Sequence, residues 1–235
     1  MNTTNIEWVK NPDGTDGMTV NPVGGRCLHN CTYCYADLIR KRYGRSETVE
    51  YFPRRLDVSK LKKQTTVFVG SMHDVFGSWV KQEWIEDTLS FCIQHPEHIF
   101  IFLTKNGKRM KEFIPKYQAS NIWWGQTLTG NEDLSLYHFI DLETENSFVS
   151  GEPLLGGIIP NIAKTAKWYI VGSLNLNYRP VSEDRGGTKL VDVNHALEFA
   201  LSNKMAIFMK PQIYQLFPEL PRYKQIPFLK QHSLI

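Results

Sequence analysis

Short apolar runs recur along the chain and are separated by more polar stretches. Most of the runs are almost continuously apolar rather than alternating, which is typical of strands that are buried on both faces, as in parallel sheets. The runs are MTV from Met18, TVFVG from Thr66, IFIFLT from Ile99, IWWGQT from Ile122, SFVSG from Ser147, WYIVGS from Trp168 and AIFMK from Ala206. The pattern therefore predicts seven strands in a mainly parallel sheet.

Segments with helical character lie between most of these runs. Residues 35–43 end in a basic turn before Gly44, as helices often do, and residues 81–94 carry apolar side chains close to one helical face. Weaker patterns predict helices at 108–117 and 193–203. Strands that alternate with helices indicate βαβ units, so we predict a single-domain α/β protein, a partial or full (β/α) barrel of parallel strands.

Composition and charge add few constraints to this picture. The chain has 235 residues, of which 42% are apolar and 22% are charged, as in an ordinary globular protein. The formal net charge of +3 neither requires nor excludes a nucleic-acid partner. No stretch is apolar for long enough to span a bilayer, and the polar amino terminus lacks a secretory signal, so we expect a cytoplasmic protein with no membrane partner.

Three of the four cysteines, Cys27, Cys31 and Cys34, fall within eight residues in a loop, 21–35, that follows the first predicted strand. In a reducing compartment such a cluster indicates metal binding or catalysis. The thiols could be small buried hydrophobes, a zinc site completed by His29, or ligands of a [4Fe–4S] cluster that leave one iron open. The clustering argues against the first interpretation. The second would strain the loop, because His29 lies between two of the cysteines.

The spacing CxxxCxxC, with the aromatic Tyr33 before its last cysteine, resembles the signature of the radical S-adenosylmethionine (SAM) superfamily. Other segments resemble its short, phage- and bacteria-associated three-cysteine family, namely NIEWVKNPDGTDGMTVNPVGGRC, VFVGSMHDVFGSWV, IFLTKNGKRM, NIWWGQTLTG, FVSGEPLLGGI, WYIVGS and IFMKPQ. The resemblance implies a radical SAM barrel with a [4Fe–4S] cluster on Cys27, Cys31 and Cys34, and SAM on the open iron. It also implies reductive cleavage of SAM to a 5′-deoxyadenosyl radical that abstracts hydrogen from a substrate, with electrons from an external flavodoxin- or ferredoxin-like donor.

Residues just beyond the strand ends face the site in such a barrel, so they are the candidates for binding SAM. After the second strand, Ser71 and Asp74 are candidate acceptors for its amino group, although Asp74 could instead cap a helix. After the third strand, Lys105 is a candidate for pairing with the SAM carboxylate or is simply solvated. After the fourth strand, Gln126 and Thr127 could bond the ribose hydroxyls or the carboxylate, or form a turn.

Two further strand ends carry candidate catalytic residues. Glu152 follows the fifth strand, and a carboxylate at a barrel mouth predicts a role toward the adenosine or the substrate. Lys210 follows the last strand and could anchor an anionic substrate. Cys92 lies on the predicted apolar helix face, and we interpret it as a core residue.

Basic residues are dense in the first third of the chain, with RKRYGR from Arg40, RR from Arg54 and KLKK from Lys60. The density indicates either a nucleic-acid footprint or a solvated helix end. Two alternatives to a radical SAM enzyme that acts on an unidentified substrate therefore stay open. One is phage-related nucleic-acid modification or repair by the same radical chemistry, and the other is a non-catalytic zinc or iron–sulfur binding module.

Overall fold

The computed structural model describes residues 1–61, 64–130, 141–156, 165–176 and 179–229. Its strands are β1 (Asn2–Thr3), β2 (Met18–Val20), β3 (Val23–Gly24), β4 (Glu50–Tyr51), β5 (Thr66–Val69), β6 (Ile99–Thr104), β7 (Ile122–Thr127), β8 (Ser147–Gly151), β9 (Trp168–Val171), β10 (Asn175–Leu176), β11 (Arg179–Pro180) and β12 (Ala206–Met209). Its helices are α1 (Tyr35–Arg42), α2 (Gln82–Gln94), α3 (Gly107–Tyr117), α4 (Leu190–Ser202) and α5 (Pro211–Leu216), with short 3₁₀ helices at Pro53–Arg55 and Glu183–Arg185.

Among the described residues, eight strands form one central sheet in the order β1-β2-β5-β6-β7-β8-β9-β12. β1 pairs antiparallel with β2, and every other neighbouring pair in this sheet is parallel. The seven predicted apolar runs supply the seven parallel strands, which confirms the mixed α/β prediction. Neighbouring parallel strands also follow one another in chain order, as expected when each crossover returns to the next position in the sheet.

Helices cover one face of the sheet. Successive side chains of a strand point to opposite faces, so Val67 and Val69 of β5 share this face. Toward α2 and α3 the face packs Phe100, Phe102, Ile122 and Trp124 against Ile85, Leu89, Met110 and Phe113. Toward α4 it packs Tyr169, Val171, Ile207 and Met209 against Val193, Ala196, Leu197 and Ala200.

The opposite face, which we call the inner face, is covered by segments from both ends of the chain. Its strand residues are Phe68, Ile101, Trp123, Phe148, Trp168, Ile170 and Phe208, and these pack with Trp8, Val9 and Ile226. The ring centroid of Trp8 lies 4.9 Å from that of Phe68 and 5.8 Å from that of Trp168. Both faces are therefore buried, which explains why the strands are continuously apolar rather than alternating.

Both edges of the parallel sheet are capped by antiparallel pairing. β1 caps β2, and at the other edge the Met209 amide donates to the Tyr223 carbonyl at 3.0 Å. The Gln225 amide donates to the Ile207 carbonyl at 2.8 Å on the same edge. These contacts satisfy backbone groups that a closed barrel would pair with each other. The sheet is accordingly open across the described ranges, and the full-barrel form of the prediction is not observed there.

Predicted helices agree with α1 to α4 to within three residues at each end. The sequence patterns missed the two-residue strands and the six-residue α5, because elements this short show no periodicity. α5 begins at Pro211, a residue suited to the first helical turn because its missing N–H has no partner there in any case. No helix within the described ranges is long and apolar enough to cross a membrane.

Candidate functional site at the cysteine loop

Three cysteine side chains lie in one loop at the carboxyl end of the first parallel strand. β2 ends at Val20, and the loop runs on to Tyr35, where α1 begins. Cys27, Cys31 and Cys34 all line one pocket of about 280 Å³, which we call the cysteine pocket. That volume is just below the usual range for small-molecule sites, about 300–1,000 Å³. The structure thus brings together the three thiols that the motif singles out.

The cysteine loop leads directly into a helix. Cys34 occupies the N-cap position of α1, and its backbone amide donates to the Cys31 carbonyl at 3.1 Å. The amino-terminal end of a helix carries partial positive charge, which stabilises a nearby thiolate. None of the four cysteines forms a disulfide, and Cys92 is fully buried in α2 among core residues, as predicted.

The thiol of Cys27 is partly desolvated. Burial raises the pKa of Cys27 to about 11, although hydrogen bonds from the backbone amides of Asp74 and His29 act in the opposite direction. The thiol is therefore protonated near neutral pH, and a metal that binds it must displace the proton. The two amide donors favour the thiolate once the proton has left, because they point at the sulfur.

The carboxylate of Asp74 joins three separate segments of the chain. Its Oδ2 atom accepts hydrogen bonds from His29 Nε2 at 2.7 Å, Thr104 Oγ1 at 2.8 Å and the Lys105 amide at 2.9 Å. Its Oδ1 atom accepts from the Phe76 amide at 2.9 Å. α2 begins later in the chain, so Asp74 closes a turn rather than capping a helix.

These donors also determine the charge state of Asp74. Burial acts to raise the pKa of the carboxyl, but the hydrogen bonds from His29, Lys105 and Thr104 outweigh it and hold the pKa below its usual value. Asp74 is therefore ionised near neutral pH although it is buried. A carboxylate offers about four acceptor positions. Oδ2 is fully engaged by its three donors and Oδ1 accepts one more, which favours a positioning role over direct binding of SAM.

The His29 side chain is turned toward Asp74. Its ring also meets the Trp79 ring edge-on, with centroids 4.9 Å apart. The ring nitrogen that faces Asp74 is thus already engaged, which weighs against His29 as a fourth zinc ligand through that atom. Within the described ranges, no three His, Cys, Asp or Glu side chains converge closely enough to hold a single metal ion.

His73 and Trp79 contact the start of the cysteine loop through a short series of hydrogen bonds. Trp79 Nε1 donates to His73 Nε2 at 2.9 Å, so the other ring nitrogen carries the proton and faces the Gly25 carbonyl at 3.4 Å. Burial lowers the pKa of His73, which keeps the ring neutral. A neutral ring in this tautomer connects the glycine turn before Cys27 to the segment after β5.

Ser71 lies beside the cysteine loop and is held there by hydrogen bonds. Asn21, the first residue after β2, donates to Ser71 Oγ at 3.2 Å and accepts from the Met72 amide at 2.8 Å. The Tyr35 hydroxyl donates to the Ser71 carbonyl. The turn after β5 is therefore attached to both ends of the cysteine loop.

Lys105 also contacts the cysteine loop. Its Nζ atom donates to the Tyr33 hydroxyl at 3.1 Å and lies 5.4 Å from the centre of the Tyr33 ring. Lys105 is half-buried, so the interpretation as a simply solvated lysine is wrong. Its ammonium group places a positive charge next to the residue that precedes Cys34.

Gln126 and Thr127 are both buried at the carboxyl end of β7, but they do not share a face. Alternation along the strand puts Gln126 with Trp124 on the helix-covered face, and Thr127 with Trp123 on the inner face. Only Thr127 is therefore placed to meet a ligand on the inner face.

Glu152 and Lys210 form an ion pair at the carboxyl ends of the strands, just beyond β8 and β12. Their side chains are 26% and 15% exposed. Burial acts to lower the pKa of Lys210, but the charge and hydrogen bond of Glu152 outweigh it and raise the pKa. Gly172, the residue just after the intervening β9, gives Glu152 room, since a Cβ at this glycine would lie 2.9 Å from the Glu152 side chain.

Comparison with known protein families gives a match over most of the chain. Residues 3–184 match the model of the family described as protein of unknown function (DUF5131). The chain belongs to the DUF5131 family. No curated protein and no solved structure matches it. In this DUF5131 protein the matched region contains the cysteine loop, Asp74 and Glu152, whereas Lys210 lies beyond it.

The ion pair of this DUF5131 protein makes a testable contribution to stability. Lys210→Met leaves the Glu152 charge without its partner in the wild type. We therefore expect Lys210→Met to reduce the free energy of unfolding more in the wild type than in the Glu152→Gln variant, where that charge is already absent. The coupling should be about 1–3 kcal/mol in a double-mutant cycle measured by urea unfolding. Additive free energies of unfolding would show that the pair is not coupled.

Several positioning residues of the DUF5131 site were not predicted from sequence. Asn21, His73, Trp79 and Thr104 all hold the cysteine loop or Asp74 in place. Asn21 and Thr104 stand at the carboxyl ends of their strands, so a search of every strand end for polar side chains could have found them. His73 and Trp79 carry no such signal, because their contacts depend on how the turn after β5 folds.

Proposed function

We propose that this protein is a radical SAM enzyme in which Cys27, Cys31 and Cys34 hold a [4Fe–4S] cluster. The observation that carries the proposal is that three thiols with the spacing CxxxCxxC line one pocket at the carboxyl end of the first parallel strand. When bound, such a cluster supplies the reductive cleavage of SAM to a 5′-deoxyadenosyl radical, which takes a hydrogen atom from the substrate. An external flavodoxin- or ferredoxin-like protein would provide the electron.

The donor set of the cysteine pocket fits this cluster. Thiolates are soft ligands that suit iron–sulfur clusters, and three of them leave one of four irons available to a small molecule. Two backbone amides point at the Cys27 sulfur, and hydrogen bonds to sulfur are among the features that set a cluster's potential. The helix that starts after Cys34 adds partial positive charge on the side of the thiolates.

The order of the strands supports a partial barrel of the radical SAM type. Neighbours in the parallel sheet follow chain order from β2 to β12, whereas a doubly wound fold reverses direction at a switch point. Chain order around the sheet is what a partial (β/α) barrel requires. The cysteine loop follows the first of these strands, where the resemblance to the superfamily expects it.

The surrounding residues divide into binding and positioning roles. Ser71 remains the candidate acceptor for the SAM amino group, because its hydroxyl is half-buried beside the loop. Lys105 and Thr127 remain candidates for the carboxylate or ribose, and Gln126 is less favoured because it shares the helix-covered face with Trp124. Asp74 positions the loop through its four donors.

Glu152 and Lys210 are proposed to act as a pair on the substrate side of the site. Their mutual contact neutralises most of the charge that either would present alone. An anionic substrate that approaches Lys210 would therefore compete with Glu152 for the ammonium group. The pair is better suited to orienting a polar substrate than to binding a free anion.

An anaerobic assay tests the proposal. The protein, reconstituted with iron and sulfide, is incubated with dithionite and SAM, and 5′-deoxyadenosine is measured by chromatography. We expect about four irons per chain and release of 5′-deoxyadenosine that depends on the reductant. One tightly held zinc per chain without 5′-deoxyadenosine would instead support the non-catalytic binding module.

A further inference from the structure

Basic residues concentrate in the segment that carries the cysteine loop and α1. Residues 26–60 contain eight Lys and Arg against four Asp and Glu, a net charge of +4, whereas the remainder of the chain has nineteen against twenty. The net positive charge of the whole chain thus arises from this one segment. A positive surface concentrated in this way attracts polyanions.

Part of this charge is directed outward. Arg40 is buried and pairs with Asp37 and Glu47. Arg42 and Arg45 are exposed, and neither forms an ion pair with any residue in the described ranges. These two arginines are therefore available to an anionic partner, whereas Arg40 mainly stabilises the fold.

Tyr43 stands between the two exposed arginines. Its side chain is 64% exposed, and the guanidinium carbons of Arg42 and Arg45 lie 5.8 Å and 5.6 Å from the centre of its ring. An aromatic ring in water beside two cations can stack a nucleobase while the cations neutralise the flanking phosphates. Because the ring is mostly exposed, packing within the protein does not explain why a tyrosine stands at this position.

The exposed face of α1 connects this tyrosine to the cysteine pocket. Tyr35, Leu38 and Arg42 are spaced i, i+3 and i+7, so they share one face of the helix. Tyr35 is 44% exposed and Leu38 is 53% exposed, and Leu38 also lines the cysteine pocket. α1 spans about 12 Å, so a ligand bound at Tyr43 lies only a short distance from the thiols.

We propose that this face of α1 binds single-stranded nucleic acid, with a base stacked on Tyr43, phosphates at Arg42 and Arg45, and a nearby nucleotide placed at the cysteine pocket. The inference rests on the proposed function, because it assigns a nucleic-acid substrate to the same site. A single strand is favoured over a duplex because stacking on an exposed side chain requires an unpaired base. An acidic protein partner would use the arginines without requiring the exposed ring.

Fluorescence anisotropy with labelled single-stranded DNA and RNA of about 12 nucleotides tests this proposal, a length within the site sizes of single-strand binding folds. Tyr43→Ala should weaken binding by about 5- to 150-fold, and Tyr43→Phe should restore most of the affinity. Arg42→Gln/Arg45→Gln should reduce the salt slope by about 1.4, because two phosphate contacts are lost. Arg222→Gln is a matched control, since Arg222 also lies over a tyrosine but outside this segment.

The outcomes separate this proposal from the proposed function. The binding assay contains neither SAM nor reductant, so failure of the radical chemistry leaves its result unchanged. Lack of binding at low salt, or unchanged affinity in Tyr43→Ala, would overturn the proposal. Binding that depends on the two arginines but not on Tyr43 would also overturn it, because the arginines would then attract polyanions by charge alone. A duplex that binds as tightly as the single strand would also contradict it, and the DNA and RNA probes show which nucleic acid is preferred.

Discussion

Replacement of Cys31 by Ala is expected to abolish stable iron binding and the formation of 5′-deoxyadenosine. Cys31 is one of the three thiols that line the cysteine pocket, and the methyl group of alanine offers no ligand to iron. With only two protein thiolates, two of the four irons would have no protein ligand. Iron and sulfide after anaerobic reconstitution should therefore fall from about four of each per chain to background.

Cys92→Ala is the matched control for this experiment. It is the same substitution at the remaining cysteine, which is fully buried in α2 and removed from the loop. We expect this variant to keep its iron and its activity and to lose about 1 kcal/mol of stability. Equal iron contents in the wild type and Cys31→Ala would refute the assignment of the cluster to these thiols.

The parallel strands could be predicted from sequence because they are buried on both faces. β6, with the sequence IFIFLT, packs alternate residues against helices and against the terminal segments, so no polar position interrupts it. The way in which the sheet ends could not be predicted. It depends on two-residue β1 and on the backbone around Lys224, and such short pairings leave no periodic signal. The placement of Trp8 on the inner face likewise depends on long-range packing.

Prediction of the site succeeded where the signal is local and failed where it is distant. The three thiols lie close together along the chain, so their spacing alone groups them. Glu152 and Lys210 are 58 residues apart, and their pairing follows only from the β8-β9-β12 order of the sheet. Sequence also marked Asp74 as an acceptor but gave no indication of its donors, because His29 and Thr104 come from two other segments.

Replacement of Asp74 by Ala is expected to destabilise the protein and to loosen the cysteine loop. The substitution leaves Thr104 and the amides of Phe76 and Lys105 without their acceptor, and it detaches His29 from the strand ends. We expect a loss of about 2–4 kcal/mol in urea unfolding of the iron-free protein. A loosened loop also exposes Cys27, so alkylation of this thiol, followed by mass spectrometry, should be faster in the variant.

The pH dependence and a matched aspartate separate this effect from a general loss of stability. Because the pKa of Asp74 is lower in the folded state, its contribution is present above the unfolded value of about 3.9 and is lost as the pH falls further. The difference between wild type and Asp74→Ala should therefore shrink below about pH 4. Asp57 likewise accepts from the amide two residues ahead, but it is exposed, so Asp57→Ala should change neither stability nor alkylation of Cys27 appreciably. If both variants behaved alike, the hydrogen bonds by which Asp74 joins three segments would not contribute to stability. The cysteine loop would then maintain the geometry of the cysteine pocket by itself.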